Sequence, residues 1–169
     1  MNPVLKYRGG KSRDIPRFLQ YIPDDFNRYI EPFFGGGAVF FYLEPDSAII
    51  NDANTRLMTF YQQLRDDYPT MRTQLDALQQ LYEANQAEFK RLKALTPDER
   101  VPNENENLYY RMRELFNHPD DTFLDGVLYF FINKTAYSGM IRYNNNGEYN
   151  VPFGRYPNLN TKLVTQQHS

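Results

Sequence analysis

Tyr29-Ile-Glu-Pro-Phe-Phe-Gly-Gly-Gly-Ala-Val-Phe-Phe41 decides how this chain is read. Its order predicts a short buried strand, a glycine-rich turn and the start of an apolar helix, the layout of a nucleotide-type cofactor loop. Glycines let a ligand approach the backbone because no Cβ stands in the way. The first turn of the following helix presents free N–H groups. Glu31 precedes the glycines, and Asp52 closes the next apolar run, Ser47-Ala-Ile-Ile-Asn-Asp52. A carboxylate at the end of a strand can accept both hydroxyls of a ribose; at Asp52 it could equally cap the helix expected from Asn54. The pattern is Phe-x-Gly-x-Gly rather than Gly-x-Gly-x-x-Gly, which points away from nicotinamide cofactors. Structural turns share such glycine runs.

Outward from this stretch, the expected elements alternate. Ser12 or Asp14 caps a helix through Ile15–Tyr21, with Pro16 in its first turn. A strand covers Arg28–Phe33, a helix Ala38–Leu43, and a buried strand Ala48–Ile50. From Asn54 the apolar period becomes helical: Leu57, Phe60, Tyr61 and Leu64, then Leu75, Leu78, Leu81 and Tyr82, continued by Phe89, Leu92 and Leu95. Residues 97–107 read as a polar loop. Leu108–Phe116 reads as a short helix and Phe123–Asn133 as a more apolar, buried one. Beyond Lys134 helical periodicity ends. Asn146-Gly147 signals a hairpin with arms Met140–Tyr143 and Glu148–Val151. Its arginines, asparagines and tyrosines favour an exposed basic finger over a core hairpin with a polar turn.

Composition narrows the chemistry. The 169 residues contain no cysteine, which excludes disulfides, thiolate metal sites and cysteine nucleophiles. His118 and His168 have no metal-site spacing; His118 reads as a solvated loop residue and His168 as idle. There is no signal peptide or membrane-length apolar run, so the expected compartment is the cytoplasm. The net charge is −2, yet it is unevenly spread. Residues 1–28 and 133–169 each balance to +3, and the segment between them to −8. Binding a polyanion requires a local basic surface, not a basic total. The 14 tyrosines and 13 phenylalanines add aromatic faces for stacking on bases, although in helices such residues usually pack the core. Gly10-Lys11-Ser12 matches only the tail of a Walker phosphate loop and is rejected as one.

Four motifs occur in order: Lys6-Tyr-x-Gly-Gly-Lys11, Glu31-Pro-Phe-Phe-Gly-Gly-Gly37, Asn51-Asp52, and Tyr143-Asn…Gly147-Glu-Tyr-Asn-Val-Pro-Phe-Gly-Arg-Tyr156. Together they resemble the Dam-like (D12) class of DNA adenine-N6 methyltransferases, from about Leu5 to Tyr156. The resemblance implies an α/β fold: a partial class I, Rossmann-like methyltransferase sheet with an inserted, mostly helical target-recognition domain carrying a β-hairpin. It divides the chain into residues 1–58 of the methyltransferase domain, 59–156 of the recognition domain, and 157–169 returning to the first.

It also implies roles. S-adenosylmethionine would be the cofactor, held by Tyr7, Lys11, Glu31, Phe33, the turn through Gly35 and Gly37, and Asp52. The family most often has Trp where Tyr7 stands. Double-stranded DNA would be the partner, met by Lys6, Arg8, Tyr137, Ser138, Met140, Arg142, Asn144, Pro152, Arg155 and Tyr156. Arg142 matches a guanine-reading arginine in relatives that methylate GATC, and Tyr137 an aromatic that inserts where adenine flips out. Ser138 stands where Dam has Asn. The family's Asp-Pro-Pro-Tyr motif, which binds the adenine amine, does not occur in these residues, and no metal is implied. The expectation is therefore a chain with no catalytic residue of its own, inactive alone and with a core strand edge uncovered. It reads as the N-terminal part of an adenine-specific DNA methyltransferase, with a non-catalytic DNA-binding remnant or one half of a split enzyme as the alternatives, and as a monomer unless split. A small-molecule methyltransferase would leave the basic hairpin without a task.

Overall fold

The structure is a computed structural model and describes residues Met1–Leu163. His168 and the end of the 157–169 segment lie outside the described residues. The chain divides into two compact units. One holds Met1–Met58 and is rejoined from Lys162; the other is Thr59–Thr161. Among the described residues no helix is long and apolar enough to cross a membrane.

The first unit opens with a 3-10 turn, Lys11–Arg13, and helix α1, Ile15–Phe18, which tightens into a second 3-10 turn at Leu19–Tyr21. Asp14 occupies the N-cap position without a side-chain cap bond, and Pro16 sits in the first turn. Strand β1 is Tyr29–Glu31 and strand β2 Ala48–Ile50, joined through helix α2, Ala38–Leu43. The strands pair in parallel, Tyr29 against Ala48 and Glu31 against Ile50. A parallel pair needs a crossover connection, and α2 supplies it. Phe34, Ala38 and Phe41 are buried, and the Phe34 ring meets Phe40 edge-on at 5.5 Å.

The sheet departs from expectation in burial. Both strands read as buried, yet Ile30 is 62% and Ile49 50% exposed. Short apolar runs indicate burial only when both faces are covered. Among the described residues this sheet has two strands, and these isoleucines point to its open face.

The second unit is helical. The boundary falls within α3, Thr55–Asp66; α4 is Tyr68–Leu95, α5 Glu104–Asn117 and α6 Asp125–Thr135. Helix α6 is apolar nearly all round and is the core: Val127, Leu128, Phe130, Phe131 and Ile132 are all buried. Met71, Leu75, Leu78 and Tyr82 form the inward stripe of α4, while Leu81 and Leu95 lie off it, exposed.

The expected loop 97–107 is shortened because α5 begins at Glu104. The Asn103 side chain caps it, accepting the Asn105 amide at 3.1 Å, with Glu104 and Glu106 in the positive first turn. Fully buried Asn105 ties α5 to α4, donating to the Tyr82 carbonyl at 2.9 Å and accepting from Asn85 at 3.0 Å.

After α6 the chain makes a turn at Tyr137–Gly139 and then doubles back. The hairpin is reduced to isolated bridges, Tyr143 with Tyr149 and Ala136 with Phe153, around the Asn144–Gly147 turn. The arms are joined by the Asn144 amide donating to the Glu148 carbonyl and the Asn150 amide to the Arg142 carbonyl. Helix α5 takes up the backbone groups of the returning arm that face away from its partner. Asn117 donates to the Tyr149 carbonyl at 3.0 Å and accepts its amide at 2.8 Å, while Tyr109 and Arg113 both reach the Val151 carbonyl. The returning arm is accordingly core, with Tyr149, Val151 and Phe153 buried. This corrects the expectation of an exposed finger: the outgoing arm and the turn face solvent, whereas the returning arm alternates buried Tyr149, Val151 and Phe153 with residues such as exposed Pro152.

Candidate functional site

In the first unit, β1 ends at Glu31 and β2 leads to Asp52, bringing two carboxylates to the same end of a parallel pair. Open α/β sheets place ligands at this end. Asp52 spends one carboxylate oxygen on the Gly35 amide at 2.8 Å and the other on the Asn54 amide at 2.9 Å. It therefore ties the glycine turn to the start of α3. The cap of α3 itself is Asn54, whose side chain accepts from the Leu57 amide at 3.2 Å. An ionised carboxylate has about four acceptor positions, so two backbone bonds leave capacity for ligand hydroxyls.

Tyr7 lies over the glycine turn. A Cβ on Gly35 would stand 3.1 Å from its ring, and one on Gly36 2.9 Å from its Cβ. A cleft of about 140 Å3 opens beside it, lined by Tyr7, Lys11, Glu31, Phe33, Gly35 and Gly37 among others. That is smaller than the roughly 300–1,000 Å3 of common small-molecule sites, so it suits one end of an extended ligand. Of the seven expected cofactor residues, six line this cleft, and Asp52 stands behind it, bonded to Gly35. Gly36, not singled out in the sequence, lines it too.

Burial raises the Glu31 carboxyl above its ordinary 4.5, opposed by the Tyr29 hydroxyl, which donates to Oε2 at 2.7 Å. A half-buried carboxylate with no cation paired to it among the described residues is suited to a ligand ammonium group. Tyr7 is raised too, by burial and then by the Asp52 charge. The donor set is an aromatic face, a half-buried carboxylate, a lysine, and a turn of backbone amides. It is complementary to a zwitterionic amino acid carrying a nucleoside, so S-adenosylmethionine fits the residues present.

In the second unit the segment from Tyr137 to Tyr156 collects the expected DNA residues. Tyr137, Ser138, Arg142, Pro152 and Arg155 are exposed; Met140, Asn144 and Tyr156 are half-buried. Lys6 and Arg8, both exposed, belong to the other unit. Local bonds shape the segment. The Ser138 amide donates to the Tyr156 hydroxyl at 3.1 Å, and Ser138 holds φ at +53°. Asn150 accepts Arg142 Nε on Oδ1 at 2.8 Å and Nη2 on its carbonyl at 3.0 Å. Asn144 closes the turn, accepting the Asn146 and Glu148 amides. Its side-chain amide and His118 both bond Glu148, and together they hold that carboxyl below its usual range. His118, read as merely solvated, thus touches this turn from the end of α5.

Asn117, Asn150 and Glu106 escaped sequence reading. Asn150 lay within a recognised motif. Asn117 acts across 32 positions and Glu106, paired with Arg155, across 49, with no local signal.

A family model for D12 class N6 adenine-specific DNA methyltransferases matches residues 7–168. The chain is 32% identical over 169 residues to the Type II methyltransferase M.CviBI of Paramecium bursaria Chlorella virus NC1A, covering 99% of this chain and 55% of that protein. It is 35% identical over 180 residues to the Type II methyltransferase M.MjaIII of Methanocaldococcus jannaschii, covering 99% and 56%. Against the DNA adenine methylase of Escherichia coli K12 it is 33% identical over 157 residues, covering 90% and 47%. The chain thus spans about half the length of the curated relatives it matches.

Proposed function

Because the chain belongs to the D12 class of N6 adenine-specific DNA methyltransferases, we propose that it supplies the cofactor cleft and the DNA-reading segment of an enzyme that methylates adenine in duplex DNA. The cofactor in this reading is S-adenosylmethionine, which when bound supplies the transferable sulfonium methyl group. Glu31 pairs with its ammonium group, Tyr7 offers an aromatic face, and the turn amides and Lys11 meet its carboxylate. Asp52 accepts the ribose hydroxyls on the positions its two backbone bonds leave open.

On the DNA side, Arg142 reads guanine in a GATC-like site and Tyr137 occupies the space of the flipped adenine. Flipping is required because the amino group is otherwise paired inside the duplex. The Asp-Pro-Pro-Tyr segment that the resemblance places at that amine is not among these 169 residues. The reading therefore gives them binding and recognition rather than the transfer step. A soluble, cytoplasmic setting belongs to the same reading.

The observation that carries it is the convergence of Tyr7, Lys11, Glu31, Phe33, Gly35 and Gly37, from separate motifs, on one cleft. Equilibrium dialysis of radiolabelled S-adenosylmethionine tests it. Saturable binding should weaken about tenfold or more, equivalent to roughly 1.4 kcal/mol, in Tyr7→Ala and in Asp52→Ala. Glu88→Gln, on the outer face of α4, should bind like the parent. Binding unchanged in both cleft variants would refute the assignment.

A further inference from the structure

Arg155 is already engaged by a side chain of its own chain. Its Nη2 donates to Glu106 Oε1 at 2.8 Å. Glu106 lies in the first turn of α5, with its own amide bonded to the Asn103 carbonyl, and only 27% of its side chain is exposed against 61% for Arg155. The backbone aims the arginine at it. Arg155 has φ of +56°, and the preceding Gly154 leaves no room for a Cβ, which would stand 2.3 Å from the Tyr156 ring and 2.9 Å from the Thr135 carbonyl. The contact is an anionic oxygen on a guanidinium, the bond a nucleic-acid phosphate would also make.

We propose that Glu106 is a built-in competitor for DNA phosphate: it holds Arg155 until the sugar–phosphate backbone displaces it, and so sets the affinity of the reading segment for DNA. This rests on the reading that residues 137–156 face DNA. The cost of displacement is that of an exposed ion pair, so the expected effect is modest, about two- to fivefold in binding. Any duplex bears phosphates, so Glu106 opposes indiscriminate binding as well as binding at the target site. That leaves base contacts such as that of Arg142 a larger share of the net affinity at the target site.

The test is fluorescence anisotropy of the 169-residue chain with a short labelled GATC duplex at low salt. Glu106→Gln should tighten binding about two- to fivefold. Glu106→Asp keeps the charge and the favourable first-turn position but falls short of Arg155, and should tighten it similarly. Glu104→Gln, which removes a charge from the same turn but no arginine partner, should not. Arg155→Ala should weaken binding, and adding Glu106→Gln to it should bring no further gain.

A gain that persists without Arg155, or that Glu104→Gln reproduces, would show a general charge effect and overturn the proposal. So would the absence of any gain in both Glu106 variants. An Arg155→Ala variant that binds like the parent would instead remove the premise, because Arg155 would then not face DNA. Circular dichroism melts check that each variant keeps the parent's helix content and stability.

Discussion

Gly37→Ala tests why this turn is built from glycine. Gly37 holds φ at +66°, and an alanine there is strained by about 1–2 kcal/mol from left-handed backbone alone. The added Cβ would stand 2.4 Å from Phe34 Cζ, 2.8 Å from Cε1 and 3.0 Å from Cε2. Phe34 cannot swing aside easily, being 2% exposed and set against Phe40 and Phe41. Overpacking of this kind costs about 1–3 kcal/mol, so the substitution should cost about 2–5 kcal/mol in all.

The chain has two units, so the loss is best read locally, by hydrogen exchange of peptides covering β1 and α2. At about 1.4 kcal/mol per decade, protection there should fall by about 30-fold to several thousandfold. Phe34→Leu removes the ring atoms that the new methyl would strike. On that background Gly37→Ala should cost only the backbone share, about 1–2 kcal/mol. A loss below about 1 kcal/mol in the parent, or an equal loss on both backgrounds, would refute the packing argument.

Three further outcomes are expected. Burial raises the Glu31 carboxyl above 4.5, so the folded state holds that proton more tightly than the unfolded state does. Its contribution favours folding below 4.5 and is lost as pH rises through the raised value. Glu31→Gln should therefore melt higher than the parent at pH 7, with the gap closing near pH 4; a lower melting point at pH 7 would contradict this. Arg142→Ala should lower discrimination between a GATC duplex and one with its guanine replaced by about 1–3 kcal/mol. Asn150→Ala, which removes the side-chain bond to Arg142 Nε and keeps the backbone bond to Nη2, should give part of that loss. Competition binding reads both, and an unchanged ratio in Arg142→Ala would count against guanine readout.

The order of elements was legible wherever local chemistry dictated them. Ala38–Leu43 and Ala48–Ile50 fall where the apolar runs and Pro45 put them, and the all-apolar face of α6 announced its burial. The start of α5 was legible too, since Asn103 followed by Glu106 is a helix-entry signal, but the polar composition of 97–107 masked it. The reason for the glycines was not. Read as clearance for a ligand, they also make room for the chain's own Tyr7 and Phe34 rings, an arrangement that depends on a residue nearly thirty positions away. The burial of the returning arm was half visible. Tyr149, Val151 and Phe153 alternate as inward residues should, but their polar neighbours favoured an exposed reading. What decides the matter is Asn117 and Tyr109 on α5, distant in sequence.

The unequal burial of the two arms has an evolutionary consequence. The returning arm is wedged into the helical core and bonded through its backbone, so its substitutions are taxed by stability. The outgoing arm, with Ile141, Arg142 and Tyr143 at the surface, bears little of that load. On the reading proposed above, letters of a recognition site can be rewritten on the outgoing arm while the returning one keeps the shape, which makes this segment a place to graft new sequence preferences.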